Sequence, residues 1–72
     1  MDKYEKIAEG YGVELEPFTS EYLALYSDGV GLLKRFIQAT FRKGCIQKGD
    51  VVSTEDIEEF LREEREEQVT LI

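Results

Sequence analysis

The 72-residue chain has no histidine, no tryptophan, one cysteine, one proline and one methionine. Without histidine there is no Cys/His pair, no Ser/His/Asp arrangement and no zinc ligand set, so the usual means of moving protons or activating a nucleophile are missing. Carboxylates are plentiful, but general acid chemistry needs one of them buried with a raised pKa, and a chain this short encloses little. The sequence is therefore read as non-enzymatic, with no cofactor and no metal. Cys45 stands alone, which excludes an internal disulfide, and its apolar neighbours predict a reduced, partly buried thiol and a cytoplasmic setting. No apolar run approaches the roughly 18 residues of a membrane span. The opening MDKYEKIAEG carries charge where a signal peptide needs an apolar stretch, so no membrane partner is expected.

What the chain does have is charge, and it is segregated. Residues 32–49, LLKRFIQATFRKGCIQKG, hold Lys34, Arg35, Arg42, Lys43 and Lys48 and no acid. The segments on either side are strongly acidic, and the net charge is −7. Hydrophobic residues make up 42% of the chain and include four Phe and four Tyr, too rich a complement for a disordered polypeptide. One small folded domain over 1–72 is expected. A core of this size typically leaves only about 3 to 5 kcal/mol of net stability, which favours dimerisation or partner binding.

Periodicity organises the rest. Tyr4, Ile7, Ala8 and Tyr11 form a helical stripe that Gly10 and Gly12 end. Val13-Glu14-Leu15-Glu16 alternates as a half-buried strand does, and Pro17 bars Glu16 from a helix. Thr19 is the expected cap of a second helix running to about Tyr26, with Phe18 and Leu23 as its hydrophobic staple. Ser27-Asp28-Gly29-Val30-Gly31 is a break, and a third helix restarts near Gly31. On it, Leu33, Phe36, Ile37, Thr40 and Phe41 share one face, while Lys34, Arg35, Gln38 and Arg42 share an arc opposite. After Gly44, Cys45-Ile46 and Val51-Val52 flank the turn-like Gln47-Lys48-Gly49-Asp50, which predicts a small hairpin with Lys48 near its tip.

Ser53 and Asp56 predict a capping box opening a fourth helix, whose narrow apolar stripe is Ile57, Phe60 and Leu61. The following REEREEQ is a solvated or frayed extension in which Arg62 can pair with Glu58 and Glu66, and the tail, 68–72, turns apolar again in its last four residues, VTLI. Gly49-Asp50-Val51-Val52-Ser53-Thr54-Glu55 echoes half of a calcium-binding loop. Gly44, Ile46 and Lys48 stand where oxygen ligands belong, which leaves an ordinary loop and cap. PFTSEYLALY and VVSTEDIEEF echo each other as similar helix starts.

The predicted fold class is thus mainly α, four helices with a short β-hairpin between the third and fourth. That order, together with the string FRKGCIQKGD, resembles the winged helix-turn-helix family of DNA-binding domains over about residues 3–52, with 53–67 as an appended charged helix. The resemblance implies that Lys34, Arg35, Gln38 and Arg42 face nucleic acid, that Lys48 is the wing contact, and that the chain is a regulator of transcription. Residue chemistry agrees in kind, since phosphates take Lys or Arg and bases are read by Arg, Lys or Gln. The alternative drawn from net charge is an adaptor or inhibitor that offers Glu59, Glu63, Glu66 and Glu67 of the fourth helix to a basic protein. A homodimer through that helix fits either reading.

Overall fold

The computed structural model describes the backbone of residues 2–70 and the side chains of residues 2–65. Four helices, α1 (Lys3–Tyr11), α2 (Thr19–Ala24), α3 (Gly29–Lys43) and α4 (Thr54–Thr70), frame two short strands, β1 (Glu14–Leu15) and β2 (Val51–Val52). The mainly helical class expected from the sequence is what the chain adopts.

The helix ends follow from local chemistry. The Asp2 side chain accepts from the Glu5 amide at 2.9 Å and opens α1, and Gly12, at φ 85°, closes it. Gly44, at φ 77°, closes α3 in the same way: Gly44 N–H donates to Phe41 O and Cys45 N–H to Thr40 O, as Gly12 and Val13 do to Glu9 and Ala8. Asp28 caps the other end of α3 by accepting from Gly31 N–H at 3.1 Å. With that cap in place the helix starts at Gly29, two residues before the predicted restart. The capping box of α4 forms reciprocally, Asp56 N–H to Ser53 Oγ at 3.3 Å and Ser53 N–H to Asp56 Oδ2 at 3.1 Å.

The start of α2 departs from expectation. Thr19 is not the cap; it is buried, with its Oγ1 3.5 Å from that of Thr54, and its N–H donates to Glu16 O across a turn through Pro17 and Phe18. Phe18 sits at φ 83°, ψ −11°, the left-handed third position of a type II turn that Gly or Asn normally fills. The turn points its ring outward, 77% exposed, so Leu23 enters the core without a staple partner.

The strand between α3 and α4 forms at Val51–Val52, but its partner is β1, in a parallel pair with Glu14 opposite Val51 and Leu15 opposite Val52. The predicted pairing with Cys45–Ile46 fails because Cys45 N–H is committed to closing α3. Gln47–Asp50 still turns, Asp50 N–H donating to Gln47 O and Gln47 N–H to Asp50 Oδ2. A parallel pair needs a long crossover, and α2 with α3 supplies it. Cys45, carried on the exposed outer side of this connection, is an exposed thiol and not a partly buried one.

The core runs through every helix and β2. Leu32, Leu33, Phe36 and Ile37 of α3 meet Tyr4 and Ala8 of α1, Leu23 of α2, Val52 of β2, and Ile57 and Phe60 of α4. Phe36 and Phe60 stack edge to face with centroids 5.6 Å apart. α3 touches each of the other three helices. Among the described residues no helix is long and apolar enough to cross a membrane.

At Gly29 the start of α3 comes close to both α1 and α2. A Cβ there would lie 2.3 Å from the Leu23 carbonyl oxygen and 2.9 Å from Tyr4 Oη. Backbone cannot yield as a side-chain tip does, so Gly29→Ala should cost about 2 to 4 kcal/mol by urea denaturation. Gly10→Ala, on an open helical position with nothing within 4 Å, should instead stabilise by roughly 0.5 to 1 kcal/mol.

Candidate functional site

The basic residues of α3 stand where the helical wheel puts them. Burial of Leu32, Leu33, Phe36 and Ile37 turns Lys34, Arg35, Gln38 and Arg42 outward, and all four are exposed, as is Lys48. The structure nevertheless divides them. Gln38 Nε2 donates to Tyr11 Oη at 3.0 Å, and the Lys48 methylenes lie against Gly12 beside the 2.7 Å bond from Gly49 N–H to Gly12 O. Gln38 and Lys48 are therefore each drawn to the C-terminal end of α1, at Tyr11 and Gly12. Arg35 goes the other way, its Nη2 3.7 Å from Glu64 Oε1 on α4, and Lys43 Nζ lies 3.7 Å from Glu63 Oε2.

Of the acidic residues predicted on α4, Glu63 is thus engaged with Lys43, and Glu59 is exposed along a crevice of about 200 Å³ between α3 and α4. The side chains of Glu66 and Glu67 lie outside the described residues, and with them the expected pair of Glu66 with Arg62. Arg62 and Glu58 are not within ion-pair distance.

A second site was missed in the sequence. The outer faces of α1, β1 and the start of α2 enclose an open groove of about 820 Å³ lined by Asp2, Glu5, Glu9, Glu14, Glu16 and Glu21, with no cation among its lining residues. Val13, Leu15 and Pro17 contribute apolar lining, and the exposed Phe18 ring belongs to the same wall. Four of these acids are placed by ordinary rules. Burial of Tyr4 and Ala8 leaves Glu5 and Glu9, one turn apart, on the outer face of α1, and strand alternation leaves Glu14 and Glu16 out while Leu15 turns in. The spacing of those four glutamates was the available signal; treating Phe18 as a staple concealed where they converge.

Asp2 ties the groove together, its Oδ1 accepting both the Glu5 amide and, at 3.4 Å, the Ser20 hydroxyl of α2. The amide bond, aided by Ser20, holds its carboxyl below the usual range despite slight desolvation. Among the described residues no three carboxylates converge closely enough to hold a metal ion. A spread of charge with apolar patches between suits an extended cationic chain better than a point cation. Compared with protein-family models, with curated protein sequences and with solved structures, the chain matches none.

The hydroxyls of Tyr22 on α2 and Tyr26 just past its end lie 2.8 Å apart with the rings edge to face. Burial first, then the bond to Tyr26 and the nearby Glu58, pushes the Tyr22 phenol up to about 12. The unfolded chain releases this proton near its ordinary value of about 10. The contribution to stability is therefore complete below that pH and is lost as pH rises through about 12. Absorbance titration of tyrosinate should show one late-ionising group that Tyr22→Phe removes. Tyr26→Phe should lower it only in part, because burial remains.

Proposed function

We propose that the chain is a small non-enzymatic interaction module that takes a basic, partly apolar segment of another protein into the acidic groove between α1, β1 and α2. The observation that carries this reading is Phe18: an aromatic ring 77% exposed, on the wall of a groove with six carboxylates, in a backbone conformation that L residues avoid. Holding a non-glycine residue there costs about 1 to 2 kcal/mol, and the exposed ring returns little packing. An aromatic anchor beside complementary charge is the usual makeup of a binding hot spot, with the charge governing encounter and the ring governing residence.

Fluorescence anisotropy with a labelled synthetic peptide alternating Lys or Arg with Leu or Phe, set against an acidic counterpart, tests this. Phe18→Gly should weaken the basic peptide by about tenfold or more while raising folding stability by roughly 1 kcal/mol. Joint replacement of Glu5, Glu14 and Glu16 by Gln should slow association and flatten its salt dependence. If Phe18→Gly leaves affinity unchanged, the groove is not the site.

A second reading is supported by the exposed line of Lys34, Arg35, Gln38 and Arg42, with Gln38 and Lys48 both drawn to the end of α1. In this reading α3 binds nucleic acid as part of a regulatory protein, phosphates taking the cations and Gln38 reaching a base. Binding to short duplex DNA should then appear at low salt, fall steeply as salt rises, and drop about tenfold or more in the Arg35→Ala/Arg42→Ala variant. Binding insensitive to that variant would place the contact elsewhere.

A further inference from the structure

We propose that the distal part of α4 is an intramolecular acidic strap, with Glu63 and Glu64 occupying the cations of α3 that an anionic ligand would otherwise take; this rests on the reading of α3 as a nucleic-acid surface. α4 has two kinds of attachment. Its first turns are fixed by the Ser53–Asp56 box and by Ile57, Phe60 and Leu61 in or against the core. From Glu63 onward, the described side chains that reach α3 do so by charge, Glu63 to Lys43 and Glu64 to Arg35, each at 3.7 Å. The four side chains are 38 to 57% exposed, so the pairs are hydrated and easily screened.

The helices do not close tightly over this stretch. A crevice of about 200 Å³, floored by Phe36, Ile46 and Phe60, separates the C-terminal half of α3 from α4, with Lys43 and Glu63 at its edge. The single 3.7 Å contact of Glu64 is likewise a weak hold on Arg35 compared with a phosphate, which accepts a bidentate guanidinium bond and carries more charge. A polyanion on α3 and the distal end of α4 therefore compete for Arg35 and Lys43. Binding and release of the strap are thermodynamically reciprocal.

The test compares two double variants of the full chain that change net charge equally, Glu63→Gln/Glu64→Gln and Glu5→Gln/Glu9→Gln, in titrations of short duplex DNA at low salt. Removing the strap should raise affinity roughly fivefold beyond the remote control, the sum of two exposed pairs. In the wild-type protein, DNA should also accelerate hydrogen exchange of α4 amides after Leu61 and leave those near Ile57 unchanged. Equal gains in both variants, or α4 exchange indifferent to DNA, overturn the strap alone, since the α3 surface is tested separately by the Arg35→Ala/Arg42→Ala variant. Absence of binding in all three proteins overturns both.

Discussion

The hydrogen bonds that Glu14 and Glu16 donate to the carbonyls of Asp50 and Val52, at 3.0 and 2.9 Å, set the geometry on which both charged faces depend. They hold the segment after α1 against the segment before α4, and Gly49 N–H reinforces them on Gly12 O. Because the pair is parallel, α2 and α3 must lie between its strands in the chain, and both strands lead into helices that start side by side at Thr19 and Thr54. The same ladder turns Glu14 and Glu16 outward into the groove, sends the chain through the Pro17–Phe18 turn, and aims α4 along α3.

Charge segregation along the sequence becomes, in three dimensions, an arrangement of faces. The acidic N-terminal segment wraps a concave surface around Phe18, and the basic α3 stands between α1 and the acidic α4. The net charge of −7 sums over unlike surfaces. Long-range attraction follows the sum, whereas recognition at contact follows the face presented. The two readings of function differ in which face they use, not in the fold they require.

Helices α1, α3 and α4 were legible because each carries its own apolar period, and the end of α3 and the start of α4 because Gly44 and the Ser53–Asp56 box act on neighbouring backbone, whereas the Asp28 cap that starts α3 at Gly29 was read as part of a break. Strand pairing was not legible. Val51–Val52 reads equally well as half of a hairpin, and only the commitment of Cys45 N–H to Thr40 O, a detail of the α3 terminus, removes the nearer partner. Phe18 misled for a related reason: spacing alone makes it a staple, but Pro17 at the second position of a turn sends its backbone left-handed and its ring outward. The groove shares this cause, since it exists only where three elements meet. The basic stripe was correctly placed on one helix, but its division between α1 and α4 depends on Tyr11, Gly12, Glu63 and Glu64, none of which neighbours it in sequence.

A ladder of two residues per strand, closed across two intervening helices, also constrains how the chain reaches its native state. Closing so long a loop costs entropy before the few ladder bonds return anything, whereas the helices can gather locally around Leu33, Phe36 and Ile37. Contact order thus favours closing the sheet after the helices have gathered. Its closure then fixes where α4 begins beside α2, with Thr54 against Thr19.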